Sequence, residues 1–177
     1  MKCIQVLLLL LPASLTVAAQ GVFNNQTNAA LQKVIEDYPN RFKNITGERL
    51  REHNGSTDYK SKVEIPGSVN CVISQITPSE KMSAWTCSLF VSADYEQAKQ
   101  KFQSLYDQIH NTIIRVKGEK PFIITGTYTT PEHENKSNII RFQFHPAPEM
   151  VQSLRVELNM SNNGNWEITL TVSEQDS

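Results

Sequence analysis

The sequence predicts an α+β domain in which two main helices cover one face of an antiparallel sheet of about six strands. Two segments carry apolar residues at helical spacing, and six shorter segments alternate between apolar and polar residues. The predicted order is helix, two strands, helix, four strands, so every pair of consecutive strands can be antiparallel. Because each strand has one apolar and one polar face, we expect the helices to lie on a single side of the sheet.

Residues 1–19 have the composition of a secretory signal peptide. Lys2 precedes an apolar run over residues 6–17, and small residues end the segment. The run is too short for an uncleaved membrane anchor, since a bilayer span needs about 20 apolar residues. We therefore predict cleavage after Ala19, which leaves residues 20–177 as a single domain exported to the periplasm or the extracellular space.

The predicted cleavage changes the number of cysteines from three to two, because it removes Cys3. Cys71 and Cys87 remain, in a compartment where thiols are oxidised. Their spacing differs from the C-x-x-C pattern of redox-active pairs. The sequence therefore favours a structural disulfide over reactive or metal-binding thiols.

The segments around these two cysteines predict a β-hairpin. Residues 69–76 and 84–91 have the composition of strands, and residues 77–81 between them have that of a turn. The antiparallel register that joins the two thiols forms three pairs on one face: Cys71 with Cys87, Val69 with Leu89, and Ile73 with Trp85. A slip by one residue would separate the thiols onto opposite faces. The disulfide and the apolar packing therefore predict the same register.

The segment before this hairpin is predicted as a helix followed by a loop. Residues 28–38 place four apolar side chains on one helical face, those of Leu31, Val34, Ile35 and Tyr38. Pro39 prevents the helix from continuing. Residues 41–62 are polar and weakly patterned, so we expect a loop there with its tip at residues 54–56.

Residues 93–111 are predicted as the second helix, with Ser92 as its N-cap. The apolar stripe of this helix consists of Tyr95, Ala98, Phe102, Leu105, Tyr106 and Ile109. Such a stripe could form a binding groove, but a surface helix normally packs a face of this kind against the core. We therefore interpret the stripe as the core-facing side of the helix.

The chain after residue 121 changes to the two-residue period of strands. The four predicted strands cover residues 122–129, 138–144, 152–160 and 166–172. For the last two strands, burial of apolar side chains favours a register that pairs Met160 with Trp166 and Leu158 with Ile168. This register needs a loop at residues 162–164, in which Gly164 adopts a left-handed conformation.

The face of the first hairpin that lies opposite to the cysteines carries two apolar residues, Val72 and Phe90, among serine and threonine. Exposed apolar residues on a sheet indicate either a covering layer or a contact surface for a partner. We favour a covering layer formed by the first helix or by residues 41–62. Val72 and Phe90 are the possible contact surface if no layer covers them.

The charge balance and the missing motifs exclude several classes of function. The 17 basic and 18 acidic residues give a net charge of −1, which provides no positive field for a nucleic acid. Apart from the signal segment, no apolar run approaches the length of a membrane span. No dinucleotide, P-loop or nucleophile-elbow motif occurs, so we predict no cofactor and assign no catalytic residue.

The histidines do not have the spacing of a metal site. The four are His53, His110, His133 and His145, and none belongs to an H-E-x-x-H pattern. Glu132, His133 and Glu134 form one local cluster of ligand types, which is typical of a solvated loop. His145 could join this cluster in a small exported hydrolase or metal-dependent enzyme, and such an enzyme is the alternative to a binding function.

Two stretches of the chain resemble a group of bacterial proteins. Residues 37–48, DYPNRFKNITGE, and residues 59–67, YKSKVEIPG, are similar to short exported proteins of unknown function from Bacteroidetes-type bacteria. The resemblance implies a bacterial export route, and it transfers no activity and no site residue. It also implies that the N-x-S/T sequons are polar loop features rather than glycosylation sites, at Asn25, Asn44, Asn54, Asn135 and Asn159.

The sequence therefore favours an exported, disulfide-stapled and non-catalytic binding module over an enzyme. Its partner is a protein or a small ligand that the residues do not name. The contact region is either the outer sheet face or residues 41–62. A deep pocket with convergent histidine and carboxylate groups would favour the enzyme, whereas a surface without one would favour binding.

Overall fold

A computed structural model of the chain describes residues 26–76, 83–133, 135 and 137–174. The predicted signal peptide, residues 1–19, lies outside these described residues. The predicted turn of the first hairpin, residues 77–81, also lies outside them. Both therefore stay predictions.

Two α-helices and nine strands form the described part of the chain. The helices are α1, Gln26–Asp37, and α2, Tyr95–Ile109. The strands are β1, Thr46–His53; β2, Ser56–Ser61; β3, Asn70–Ile76; β4, Ser83–Ser92; β5, Thr112–Ile114; β6, Phe122–Gly126; β7, Ser137–His145; β8, Leu154–Asn162; and β9, Trp166–Glu174. Two short 3-10 helices lie at Tyr38–Asn40 and Glu149–Val151.

The described strands form one antiparallel sheet in the order β1-β2-β3-β4-β9-β8-β7-β6-β5. The strands that follow α1 form one half of the sheet, and those that follow α2 form the other half. α2 contacts β4, β8 and β9, and α1 packs against α2. The α+β class is confirmed. The predicted six strands and their predicted order are wrong, because the sequence pattern does not indicate β1, β2 and β5.

The first two of these strands lie in residues 41–62, which the sequence predicts as a loop. β1 is the edge of the sheet and is almost entirely exposed, and its pairing with β2 shifts on both sides of Arg49. Charged side chains and irregular pairing protect an edge strand from other chains, but they also remove the alternation that indicates a strand. The predicted tip at residues 54–56 is confirmed as the turn between β1 and β2.

α2 begins later and ends earlier than the sequence predicts. Its N-cap is Asp94 rather than Ser92, because the Asp94 carboxylate accepts the Gln97 N–H at 3.0 Å. At the other end, Asn111 has a left-handed φ of 63°, and its N–H donates to the Ile124 carbonyl at 2.8 Å. The chain reverses at this point, and β5, which the sequence does not predict, follows.

The core lies between the helices and one face of the sheet. Every second residue of β8 and β9 is buried there: Leu154, Val156, Leu158, Met160, Trp166, Ile168, Leu170 and Val172. The residues that α2 buries against them are Ala98, Phe102, Leu105 and Ile109. The interpretation of the α2 stripe as a core face is therefore confirmed.

The predicted register of the hairpin formed by β3 and β4 is confirmed. Cys71 pairs with Cys87 and forms a disulfide with it, and Ile73 pairs with Trp85. These side chains are all buried. The Trp85 Nε1 donates to the Ser61 Oγ at 3.0 Å, so the indole is held by a hydrogen bond as well as by packing.

Two residues of this hairpin depart from the predicted arrangement. Val69 precedes β3, and it is 63% exposed rather than buried. In β4 the register shifts between Ser88 and Phe90, after which Phe90 lies opposite Ile168 of β9. Because the extra residue of a bulge reverses the faces, Phe90 packs on the core side and does not lie beside Val72 on the outer face.

The pairing of β8 with β9 differs from the predicted register by two residues. Met160 lies opposite Ile168, and the loop covers residues 163–165. Gly164 has a φ of 98°, and its left-handed conformation is confirmed. The Asn162 side chain accepts the Gly164 N–H at 2.9 Å and closes the turn. Both registers place apolar residues opposite one another, so alternation alone does not distinguish them.

Candidate functional site

The candidate site is built by the loop that joins α1 to β1, residues 38–45. The Asp37 carboxylate at the end of α1 is buried and holds this loop from the inside. It accepts the backbone N–H groups of Asn44 at 3.0 Å and Ile45 at 3.2 Å, and the side-chain amides of Asn40 and Asn44 donate to it as well. Because hydrogen bonds to an ionised group are strong, these contacts fix the loop against the core.

Two consecutive residues of this loop have a left-handed backbone. Arg41 has a φ of 55° and Phe42 a φ of 58°. This conformation costs a non-glycine residue about 1–2 kcal/mol. Phe42 is fully buried, and the Arg41 N–H donates to the Tyr38 carbonyl at 2.8 Å. Burial and hydrogen bonding therefore maintain a strained turn in which the neighbouring Arg41 side chain is exposed, and such strain is concentrated at functional sites.

Arg41 lies between two cavities, which together we call the Arg41 cleft. The first cavity has a volume of about 250 Å³, and its lining includes Tyr38, Pro39, Arg41, Phe42, Ser83 and Glu174. The second has a volume of about 270 Å³, and its lining includes Arg41, Lys43, Thr46, Tyr59, Gln75 and Ser83. Since Arg41 and Ser83 line both, the cavities are adjacent halves of one cleft.

The cleft lies at one end of the sheet face that the helices cover. Ser83 of β4 pairs with Gln75 of β3. On the other side of β4, Ala84 pairs with Ser173, which places Glu174 of β9 next to Ser83. The next inward-facing residues of these three strands are apolar and buried. Three neighbouring strands therefore present a row of polar side chains at the edge of the apolar core.

The charges of the cleft are unevenly distributed. Arg41 and Lys43 provide two positive groups at the second cavity, whereas Glu174 provides a negative group at the first. A guanidinium has five N–H donors and can hold an external carboxylate or phosphate in addition to a partner within the protein. The cleft can therefore bind an anionic group beside Arg41 and Lys43.

Another cavity, of about 400 Å³, lies where β7 and β8 separate. The pairing of these strands ends at Phe142 and Val156, and the side chains of Arg141 and Arg155 line the opening. The Arg141 Nε donates to a Glu157 carboxylate oxygen at 2.7 Å. The Glu157 carboxylate therefore offsets one of the two positive charges at this cavity.

The histidines of the enzyme hypothesis do not meet. His145 ends β7, whose nine residues span about 27 Å, and His133 lies in the loop that precedes the other end of this strand. The His133 ring packs against Tyr95 and Trp166, with centroid distances of 4.8 and 5.7 Å. No group of three His, Cys, Asp or Glu side chains that could hold a metal ion occurs in the described residues, and Glu134 lies outside them. His145 therefore does not join the cluster around His133, as the metal-dependent enzyme of the alternative hypothesis would need.

The outer sheet face is not covered as the sequence suggests. Val72 lies on this face, opposite Lys60 of β2 and Thr86 of β4, and it is partly buried. α1 packs on the other side of the sheet, and residues 41–62 form strands of the sheet itself. The expected covering layer is wrong for both segments. A contact between Val72 and a partner stays a prediction.

A buried carboxylate joins three strands across this outer face. Asp58 of β2 accepts the Ser74 hydroxyl of β3 at 2.6 Å and the Arg51 Nε of β1 at 2.9 Å, while the His53 Nε2 lies 3.7 Å away. The Ser74 hydrogen bond is the largest cause that lowers the pKa of Asp58 below its usual value of 3.8, and Arg51 and His53 act in the same direction against the effect of burial.

Replacing Ser74 by alanine is expected to destabilise the protein more at neutral pH than in acid. Because the folded pKa of Asp58 lies below the unfolded one, ionised Asp58 stabilises the fold above the unfolded pKa, and this contribution is lost as the pH falls through the folded pKa. We expect Ser74→Ala to lower the unfolding free energy by about 1 kcal/mol at neutral pH. Urea unfolding at neutral pH and at successively lower pH in the acid range checks this, and a loss that stays constant until the protein unfolds in acid would contradict it.

Several residues of the Arg41 cleft are not indicated by the sequence. Residues 41–62 are predicted as a possible contact region, which includes Arg41, but Ser83 and Glu174 come from strands that have no functional pattern. Asp37 and Asn44 could have indicated the structured turn beside Arg41, since aspartate and asparagine stabilise turns through side-chain hydrogen bonds.

No described helix is both long and apolar enough to cross a membrane. The chain matches no family model, and no curated protein or solved structure matches it at a significant level. The geometry of the Arg41 cleft is therefore the basis on which a function is proposed.

Proposed function

We propose that the protein is an exported, non-catalytic binding module whose Arg41 cleft binds a small ligand through a carboxylate or phosphate group. One observation carries this proposal. A buried carboxylate, that of Asp37, holds a strained loop in which Arg41 is placed between two cavities. Backbone strain of this kind is concentrated at functional sites, which supports a role for the Arg41 side chain.

The lining of the cleft supports binding through ion pairs and hydrogen bonds. The Arg41 guanidinium matches the planar geometry of a carboxylate or phosphate, and Lys43 adds a mobile positive charge. Tyr59, Gln75 and Ser83 add hydroxyl and amide groups that can donate to the same anion.

The predicted signal peptide and the disulfide support the export that is part of the proposal. A bond between Cys71 and Cys87 persists in the periplasm or outside the cell, whereas cytosolic thiols are kept reduced. The resemblance to short exported proteins of Bacteroidetes-type bacteria agrees with this location. Direct sequencing of the N-terminus of the mature protein tests it, with Gln20 as the expected first residue.

The variant Arg41→Gln is expected to weaken binding of anions in the cleft by about 30-fold, because a hydrogen bond to a charged group contributes about 1.5–3 kcal/mol. Calorimetric titration with N-acetyl-alanyl-alanine and with inorganic phosphate measures this effect. Glutamine retains the length of much of the side chain and removes the charge. Lys117→Gln, in an exposed loop between β5 and β6, is the matched control and should bind as the wild type does.

Two outcomes would overturn the proposed function. The first is that neither probe binds to the wild-type protein. The second is that Arg41→Gln binds as tightly as the Lys117→Gln control. Binding of one probe alone supports the proposal and identifies the anionic group, a carboxylate or a phosphate, that the cleft prefers.

A further inference from the structure

We infer that the ligand of the Arg41 cleft is a zwitterion of dipeptide size, with its carboxylate beside Arg41 and Lys43 and its ammonium group beside Glu174. This inference rests on the proposed function and specifies the chemistry of the ligand. It follows from the position of the single acidic side chain in the described lining and from the spacing of the strands below it.

The two cavities differ in charge although they share Arg41. Glu174 lines only the first cavity, and Lys43 lines only the second. A ligand with a negative charge alone is attracted most strongly to the second cavity, because Glu174 offsets the charge of Arg41 in the first. A ligand that also carries a positive charge at its other end gains an ion pair with Glu174 and can occupy both cavities.

Glu174 is held in place by the sheet and not by a loop. It pairs with Leu154 of β8, and the adjacent Ser173 pairs with Ala84 of β4. Glu174 is partly buried at the edge of the core, where an ion pair is less screened than on an open surface. A group in this position offers a fixed recognition point for a cation.

The strand spacing indicates the size of the ligand. Glu174, Ser83 and Gln75 belong to three adjacent strands, so the outer two residues lie about 10 Å apart. The first cavity borders Glu174 and the second borders Gln75 and Lys43, so a ligand that occupies both cavities extends along this row. An extended dipeptide spans about 7 Å, which suits a ligand whose carboxylate lies in the second cavity and whose ammonium group lies beside Glu174 in the first, whereas a free amino acid extends over only one of the two cavities.

Three forms of one dipeptide test the inference by calorimetry. The probes are alanyl-alanine, which carries both charges; N-acetyl-alanyl-alanine, which lacks the ammonium group; and alanyl-alaninamide, which lacks the carboxylate. We expect the zwitterion to bind the wild-type protein about tenfold more tightly than the acetylated form, because the zwitterion forms one additional ion pair, with Glu174. The amide should bind more weakly than both.

The variant Glu174→Gln removes the proposed partner of the ammonium group with little change in shape. In this variant the zwitterion and the acetylated form should bind with equal affinity, because the tenfold difference depends on Glu174. Glu119→Gln, in an exposed loop, is the matched control and should preserve the difference. Thermal unfolding of each variant shows that the fold is retained.

The possible failures separate the inference from the proposed function. The inference of a zwitterionic ligand is wrong if the zwitterion and the acetylated form bind the wild type equally, or if Glu174→Gln keeps the tenfold difference. Either result leaves the proposed anion site at Arg41 intact. If no form with a carboxylate binds and phosphate does not bind, both proposals are overturned.

Discussion

Asp37→Ala is expected to lower the free energy of unfolding by about 3 kcal/mol and to abolish dipeptide binding in the Arg41 cleft. The Asp37 side chain is buried, and it accepts the backbone N–H groups of Asn44 and Ile45. Alanine leaves these donors without their acceptor, which costs about 1–3 kcal/mol for each donor that water cannot reach. Chemical denaturation measures the loss of stability, and calorimetry with alanyl-alanine measures the loss of binding.

Binding depends on Asp37 because the left-handed turn contains no glycine, the residue that adopts this conformation without a steric cost. Arg41 and Phe42 hold this conformation against a steric cost, and the Asp37 contacts compensate for that cost. Without these contacts we expect the loop to relax and to carry Arg41 away from its position between the two cavities. Asp37→Asn should act in the same direction, since one amide NH₂ then faces N–H donors.

The control for this prediction is Asp107→Ala, which removes an exposed carboxylate on α2 and should change stability by no more than about 0.5 kcal/mol. Two results would contradict the role of Asp37. The Asp37→Ala protein could unfold at the same denaturant concentration as the control. Alternatively, it could lose stability and yet bind alanyl-alanine as the wild type does, which would show that the cleft does not depend on the loop.

The central hairpin shows what kind of information in the sequence predicts structure. Cys71 and Cys87 need one register to form a disulfide, and Ile73 and Trp85 need the same register to be buried. Because two independent requirements act on the same strands, only one register satisfies both, and the structure has this pairing. The strands of the second half of the sheet are indicated for a similar reason, because burial on one face imposes a strict alternation.

The sequence does not predict the strand register where only one structural requirement, or none, limits the choice. Any shift of β8 against β9 by two residues keeps Met160 opposite an apolar residue, so the choice between registers depends on the Asn162 side chain in the turn. The bulge that turns Phe90 inward has no glycine or proline to indicate it. β1 is an exposed edge strand, and its charged side chains do not pack against the core. Its sequence therefore lacks the alternation of apolar and polar residues that indicates a strand.

The candidate site could be predicted only in part from the sequence. Residues 41–62 are indicated as a contact region because they are polar and unpatterned, and Arg41, Lys43 and Tyr59 do lie there. The cleft also needs Glu174, which is more than 100 residues away along the chain. Only the sheet order, with β9 inserted next to β4, brings these groups together, and that order follows from long-range pairing rather than from any local pattern.

The double variant Cys71→Ala/Cys87→Ala is expected to be less stable than the wild type by about 3 kcal/mol, because the disulfide closes a loop of about 15 residues and reduces the entropy of the unfolded chain. Both cysteines are buried in the core, so replacing them by alanine also removes some packing contacts. Guanidinium unfolding of the two proteins measures the difference. Near-ultraviolet circular dichroism of the buried Trp85 verifies that the variant retains its native packing.

Val69→Ala is the matched control, since Val69 is a hydrophobic residue close to Cys71 but is 63% exposed, and its loss should cost no more than about 0.5 kcal/mol. If the double variant unfolds together with this control, the disulfide does not stabilise the fold. Two free thiols in the native exported protein, measured by intact mass, would contradict the bond itself. In the folded protein we expect the bond to resist reduction until denaturant opens the hairpin, because a thiolate must reach a buried sulfur to attack it.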